Sequence, residues 1–327
     1  MRAGIIGLGT YMPDHVMTNA DFEKIVDTTD EWIVSRSGIH ERRFASADQA
    51  CSDISAIAAE RAIKDAGLNK EDIDMFIVAT ASGDMLFPST SCLVTEKLGF
   101  KGLEGPAAMD ITAGCTGFIY GLVTAKAYVE SGLAKNVCVI GAEVLSKLLD
   151  MTDRATCVLF GDGAGAAIVS AVEGNGIMAA LLESSGEGHM HITFPGGGSR
   201  KPATHETIDN HDHFVHMNGS DVFKFAVRAM DLGCAKVLEK AGLKPEEIDW
   251  FVPHQANIRI IESAAKRMKL PMEKVFITLD KTGNTSAATI PIALDIARNE
   301  GRLKKGDKLL MVAFGAGLTW GSAVVEW

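Results

Sequence analysis

The chain has no C-x-x-C pair: Cys51, Cys92, Cys115, Cys138, Cys157 and Cys234 are scattered singly, and no secretory leader precedes them. That spacing speaks against a structural zinc and against a disulfide framework, so a reducing cytoplasm is the expected setting. Positive charge is also scarce, with 32 Lys and Arg against 42 Asp and Glu, a formal net charge of −10. Nucleic-acid binders need clustered positive charge to meet phosphates, so the balance argues against that class. A membrane-spanning run is missing too. The longest uncharged stretch, Leu309 to Val325, covers 17 residues and is broken by Gly315, Gly317 and Gly321; it reads as two buried strands around a glycine turn. Gly7-Leu8-Gly9 lacks the third glycine and the helix start of a dinucleotide fingerprint, since Met12 and Pro13 follow it.

What is present is an ordinary globular composition. With 47% hydrophobic and 23% charged residues over 327 positions, the chain supports one double-sized domain or two fused halves. An internal duplication favours the halves. Ala66-Gly67-Leu68, Glu71, Ile73-Asp74 and Phe76 recur as Ala241-Gly242-Leu243, Glu246, Ile248-Asp249 and Phe251, at a constant offset of 175. Each copy reads as helix, glycine stop, acidic turn and apolar strand, which is the grammar of an α/β unit. A weaker match at offset 169 lays Gly114-Cys115-Thr116 over Gly283-Asn284-Thr285 and Gly132 over Gly301.

Three residues become candidates on this basis. Cys115 lies where an extended run (Ala107 to Thr112) meets a helical one (Phe118 to Val129), in the small-residue turn Ala113-Gly114-Cys115-Thr116-Gly117. A thiol at a helix N-terminus is a candidate nucleophile, its thiolate favoured by the peptide dipoles. If the halves pack about a pseudo-twofold axis, the Asn284 turn occupies the equivalent place. His254 follows an apolar strand matching Met75 to Thr80, and open α/β sheets gather ligands outside the carboxyl ends of their strands. A Cys-His-Asn set serves either acyl transfer or papain-like hydrolysis, in which the histidine activates the thiol and the asparagine orients the histidine.

Four motifs, Gly114-Cys115-Thr116-Gly117-Phe118, Val252-Pro253-His254-Gln255-Ala256-Asn257, Gly283-Asn284-Thr285-Ser286-Ala287-Ala288 and Phe314-Gly315-Ala316-Gly317-Leu318-Thr319-Trp320-Gly321-Ser322, resemble those of β-ketoacyl-acyl-carrier-protein synthase III. That enzyme family initiates type II fatty-acid synthesis. The likeness runs the whole chain, from Gly4 to Pro13 and from Asp30 to Ile39, with Arg42-Arg43 following. It implies a thiolase-like α/β fold, two duplicated halves packed as an αβαβα sandwich, with residues 1–171 carrying the nucleophile and 172–327 carrying the histidine and asparagine. It implies a decarboxylative Claisen condensation of a starter acyl-CoA with malonyl-acyl carrier protein through an acyl-Cys115 intermediate. The alternatives are a related condensing enzyme of secondary metabolism and a cysteine thioesterase.

By the same resemblance, His254 and Asn284 face the enolate, and the backbone N–H groups of Cys115 and Ala316 form the oxyanion hole. Trp32 and Arg154 sandwich the adenine of coenzyme A, Thr28 and Arg36 flank the nucleotide, and Phe223 and Asn257 line the pantetheine tunnel. Phe87 closes the acyl pocket of a neighbouring subunit in a homodimer. The family commonly has three successive glycines where this chain has Gly315-Ala316-Gly317, so the second position must tolerate a Cβ. Lys224 and Arg228, with Arg259, Lys266 and Arg267, form a basic cluster on a chain of net negative charge; Lys224, Arg259, Lys266 and Arg267 are read as a docking patch for the acidic carrier protein. No cofactor beyond the coenzyme A thioester substrate is expected. His205, Asp209, His211, Asp212, His213 and His216 lack zinc-site helical spacing. Gly161-Asp162-Gly163-Ala164-Gly165 is read as close packing between the halves.

Overall fold

Residues 2–327 are described by a computed structural model. Its strands are β1 Arg2–Tyr11, β2 His15–Thr18, β3 Glu41–Phe44, β4 Met75–Ala79, β5 Ala107–Ile111, β6 Asn136–Glu143, β7 Gly163–Val172, β8 Ile177–Ser184, β9 Ile192–Thr193, β10 His216–Met217, β11 Trp250–Pro253, β12 Lys308–Gly315 and β13 Thr319–Glu326. The larger of the two main sheets has the order β1-β7-β6-β4-β5 and the smaller β11-β12-β13-β8, with β2-β3 and β9-β10 as separate two-stranded pairs. In the first, β4 runs parallel to β5 and β6 while β7 is antiparallel to β6 and β1. The second repeats this: β11 is parallel to β12, β13 antiparallel to β12 and β8, and a parallel bridge from Phe251 to Val275 stands where β5 pairs with β4.

The duplicated sequence is a duplicated backbone. Gly67 and Gly242 end equivalent helices at φ +69 and +68, and Gly114 and Gly283 share φ +53 and +61. These are left-handed conformations in which a Cβ clashes, which explains why glycine recurs at matched places. Asp74 and Asp249 each fasten the start of the next strand, accepting from the Asn136 N–H at 2.9 Å and the Lys308 N–H at 2.8 Å.

Helices Gly117–Glu130 and Thr289–Asn299 lie between the sheets. Along β12, Leu309, Met311 and Ala313 face this middle layer; Leu310, Val312 and Phe314 face outward onto helices Gly219–Ala241 and Ile258–Met268. A strand covered on both faces has no use for polar alternation, hence its continuous apolar run. Truncating Leu310 to Ala would cost roughly 2–5 kcal/mol by leaving a cavity. On the outer face of the first sheet sits helix Cys51–Asp65. A Cβ on Gly7 would lie 2.6 Å from the Ala62 carbonyl oxygen, so Gly7 serves close strand–helix contact. Gly161 and Gly165 do the same between the halves: a Cβ there would meet the Thr282 carbonyl at 2.5 Å and Pro291 at 2.7 Å. Among the described residues no helix is long and apolar enough to cross a membrane.

Candidate active site

β5 ends at Ile111, and the chain turns through Gly114 into a 3₁₀ turn, Gly114–Thr116, that opens helix Gly117–Glu130. The glycine-rich turn between β12 and β13 packs directly on it. A Cβ on Gly315 would lie 2.6 Å from the Cys115 nitrogen, and one on Gly114 would lie 2.9 Å from the Ala316 nitrogen. Thr319 stitches the two turns together, its hydroxyl 2.9 Å from that of Thr116 and 3.0 Å from the Ala113 carbonyl. The two turns pack so closely that Gly315 lies against the Cys115 backbone and Gly114 against that of Ala316.

His254 sits one residue beyond β11, its N–H donating to the Val312 carbonyl at 2.8 Å. The imidazole packs edge-on against Phe314 at 5.2 Å, and Nδ1 lies 2.7 Å from the Thr289 hydroxyl. That hydroxyl is also 3.0 Å from the Ser286 carbonyl. Nε2 is buried with no protein partner. Burial pushes the His254 pKa down to about 3, so the ring is neutral at physiological pH. Asn284 is held by its backbone, donating to the Leu159 carbonyl at 2.9 Å and accepting from the Gly161 N–H at 3.0 Å. Its Oδ1 accepts from the Ser286 N–H at 2.8 Å. A backbone N–H can only donate, so the amide oxygen is fixed there and the NH₂ end is left free.

Cys115, His254 and Asn284 open on one cavity of about 380 Å³, with Ser286, Phe314 and Ala316 also in its wall. Walls such as Leu148, Val158, Val215 and Met217 make it apolar. One expectation is corrected here. The helix-opening turn does not leave Cys115 as a ready thiolate: burial pushes its pKa up to about 12, against a lowering by the Ser286 hydroxyl. Part of the residue reaches solvent through the cavity, whose walls are mostly apolar. The loss of hydration outweighs the lowering by the Ser286 hydroxyl and the backbone. Of the other cysteines, Cys92 is exposed and the rest are buried.

Trp32, Arg36, Phe223 and Asn257 line the same cavity, whereas Thr28 and Arg154 are not among its lining residues. The Arg154 guanidinium lies 4.8 Å from the centroid of the Trp32 ring, and Arg36 approaches that ring at 5.6 Å. An adenine needs about 3.5 Å on each of its faces, so a sandwich requires Arg154 to swing away. Thr28 keeps a buried hydroxyl with no partner. Asn257 has both ends of its amide in use, donating to the Arg36 carbonyl at 2.7 Å and capping helix Ile258–Met268 by accepting from the Arg259 N–H at 2.9 Å.

The basic residues gather on two packed helices. Lys224, Arg228, Arg259, Lys266 and Arg267 are all exposed. Lys224 pairs with Asp221 at 3.1 Å and Arg267 with Asp231 at 2.6 Å, while Arg259 lies over the Phe223 ring at 5.2 Å. Phe87 reaches no part of its own cavity and is 83% exposed, as is Leu86. Below it, Asp84 fixes the loop by accepting from the Ser52 N–H and hydroxyl at 2.8 and 2.7 Å. In the histidine-rich segment, His211 pairs with Asp150 at 2.6 Å and His213 with the Thr207 hydroxyl at 2.9 Å.

Comparison with known proteins decides the family. Residues 109–186 match the family described as 3-oxoacyl-[acyl-carrier-protein (ACP)] synthase III, and residues 238–327 match that family's C-terminal part. The β-ketoacyl-[acyl-carrier-protein] synthase III of Caldanaerobacter subterraneus subsp. tengcongensis is 56% identical over 328 residues, covering 100% of this chain and 98% of that one. The chain belongs to the β-ketoacyl-[acyl-carrier-protein] synthase III family. Its counterpart in Clostridioides difficile is 52% identical over 326 residues, again 100% of this chain and 98% of the other. The crystal structure of 3-oxoacyl-[acyl-carrier-protein] synthase III from Aquifex aeolicus superimposes with a TM-score of 0.91 at 46% identity, covering 99% of this chain and 100% of that one. The chain is therefore an acyltransferase with the thiolase-like fold, and it carries out the condensation that initiates fatty-acid synthesis.

Three residues of the site were not singled out from the sequence. Ser286 and Thr289 lie inside or just past the Gly283 motif but carry no chemistry signal of their own. Glu143 could have been noticed, because it is a lone charge closing the apolar run Val137 to Ala142.

Proposed function

We propose that Cys115 accepts a starter acyl group from acyl-CoA as a thioester, and that His254 and Asn284 stabilise the enolate left when malonyl-acyl carrier protein loses carbon dioxide. The observation that carries this reading is His254 Nε2, a buried imidazole nitrogen with no protein partner, on a cavity shared with Cys115 and the free end of the Asn284 amide. The Thr289 hydroxyl has one proton. Its two contacts are alternative donations, to the Ser286 carbonyl at 3.0 Å or to Nδ1 at 2.7 Å; in the tautomer proposed here the proton goes to Nδ1, and the imidazole's own proton stays on Nε2 as a donor. A neutral donor and an amide are preorganised for an oxyanion, each worth on the order of 10²–10³ in rate. The N–H groups of Cys115 and Ala316, on turns packed together at the glycines beside them, serve the tetrahedral intermediates of acyl transfer.

A papain-like hydrolase would need Asn284 to orient His254. Here Nδ1 is engaged by Thr289, and the asparagine oxygen by Ser286. Coenzyme A enters past Trp32, Arg36, Phe223 and Asn257, with Thr28 beside the nucleotide and Arg154 moving aside to stack its adenine. The half comprising residues 1–171 brings the nucleophile, and that comprising 172–327 brings the enolate donors. The exposed tip at Leu86 and Phe87 supports a homodimer in which Phe87 closes the partner's acyl pocket. Lys224, Arg259, Lys266 and Arg267 dock the carrier protein, and the unpaired cysteines fit a cytoplasmic setting.

Separating the two half-reactions tests the assignment. His254→Ala and Asn284→Ala are expected to lose malonyl decarboxylation by about 10²-fold or more while Cys115 still takes up radiolabelled acyl groups. Equal loss of both steps would return His254 to the role of thiol activator.

A further inference from the structure

Glu143 ends β6 and is wholly buried, and none of its hydrogen-bond partners is a cation. Its Oε2 accepts from the Ser82 hydroxyl at 2.5 Å, the Ala81 N–H at 3.2 Å and the Thr80 hydroxyl at 3.3 Å. Its Oε1 accepts from the Ser286 hydroxyl at 2.9 Å. Ser286 and Cys115 line one cavity on turns that pack together, and the serine hydroxyl works against the burial that raises the Cys115 pKa. The serine backbone has φ +49, the left-handed region where a side chain is strained, and its N–H is tied to Asn284 Oδ1. A buried carboxyl without a counter-charge is costly, and neither the acyl acceptor nor the enolate donors use it.

We propose that Ser286 and Glu143 form a proton relay that receives the thiol proton of Cys115 during acylation and returns it after condensation. The inference rests on the reading of Cys115 as the acyl acceptor. In the first half-reaction the sulfur–acyl bond forms and the acyl–coenzyme A bond breaks. The S–H proton passes to the Ser286 oxygen as the serine's own proton moves to Glu143, and the coenzyme leaves as a thiolate that solvent protonates. In the second, carbon dioxide leaves malonyl-acyl carrier protein and the enolate carbon displaces Cys115 from its acyl group. The freed cysteine thiolate then recovers its proton from neutral Glu143 through Ser286. The cycle consumes one solvent proton, released as the thiol of coenzyme A. Burial raises the proton affinity of Glu143 above that of an ordinary carboxylate, which suits transient protonation. Two other titratable groups face this region, Cys51, which feels the Glu143 charge, and Asp84, which faces Cys51 in turn.

Glu143 acts through Ser286 and is a positioning residue in this scheme, so the test reads a pH profile. Formation of acyl-Cys115 is followed by rapid quench and intact-protein mass, between about pH 6 and about pH 9, with whichever short acyl-CoA the unsubstituted enzyme takes up. In Glu143→Gln and in Ser286→Ala, acylation is expected to slow by about 10²-fold near neutral pH. Its rate should climb about tenfold per pH unit where the unsubstituted enzyme is flat, because the thiol must then ionise unaided. Variant profiles that coincide with the unsubstituted one, or that are lowered equally at every pH, would overturn the relay. If Glu143→Gln does not fold, the slope in Ser286→Ala decides alone. Failure of the underlying reading looks different: no acyl adduct would appear on Cys115 even in the unsubstituted chain, and the relay would fall with it.

Discussion

His254 Nδ1 and the Thr289 hydroxyl lie 2.7 Å apart, joining the end of β11 to the first residue of helix Thr289–Asn299. This contact orients the imidazole of a residue that lines the cavity. Thr289→Val keeps the shape and deletes the hydroxyl. Its malonyl decarboxylation is expected to fall roughly tenfold to a hundredfold in kcat with little change in KM. Steady-state release of carbon dioxide measures this, and an unchanged kcat would mean that the ring needs no orientation from Thr289.

The depressed pKa of His254 also makes a stability prediction. Its folded value is about 3 and its ordinary value 6.5. Between those limits the unfolded chain binds a proton that the folded one refuses, so this residue's contribution is present above pH 6.5 and is lost as pH falls toward 3. Glu143 and Asp162, whose pKa values burial raises, act with the opposite sign and are common to both proteins compared. His254→Gln is therefore expected to lose less melting temperature on acidification through the window than the unsubstituted enzyme. Parallel melting curves across that range would contradict a buried neutral imidazole.

Apolar residues at a loop tip that is firmly anchored at its base call for a partner surface. Size-exclusion with light scattering is expected to give twice the chain mass, and Phe87→Ala to shift the preferred length of the starter acyl group. A fully active monomer would remove the dimer, whereas an unchanged starter profile would remove only the pocket role of Phe87.

For the basic patch, charge reversal at Arg259 or Lys266 is expected to raise KM for malonyl-acyl carrier protein severalfold, with a steep salt dependence, and to spare acylation by free acyl-CoA. Arg36→Ala should show the opposite pattern. Lys224 and Arg267 already pair with Asp221 and Asp231, so reversing them should matter less than reversing Lys266. Equal effects on both substrates would assign the patch to the coenzyme site or to the fold.

Much of this arrangement was legible in the sequence because it rests on backbone necessity. Glycines with positive φ recur at matched places, Gly67 with Gly242 and Gly114 with Gly283, and a strand covered on both faces, such as β12, leaves a continuous apolar run. The Cys115 turn, the strand-end His254 and the Asn284 turn could be read as neighbours on those grounds. What was not legible depends on tertiary environment. The raised pKa of Cys115 follows from how deeply the thiol is buried, which no local spacing encodes. Arg154 resting on Trp32, and Asn257 spending both ends of its amide on backbone, are contacts across large sequence separations. Glu143 stood out as a lone charge, but what it bonds to was hidden for the same reason: its partners Ser82 and Ser286 are 61 and 143 positions away.

The central claim is a covalent acyl-Cys115 that is resolved by a carbon nucleophile rather than by water. Intact-protein mass measured after acyl-CoA, and again after a chase with malonyl-acyl carrier protein, tests it most directly. One acyl group mapping to Cys115, stable in buffer and discharged by the chase into 3-oxoacyl-acyl carrier protein, is the predicted result. An adduct on another cysteine such as Cys92, or an acyl-Cys115 that hydrolyses as fast without the chase as with it, would contradict the account.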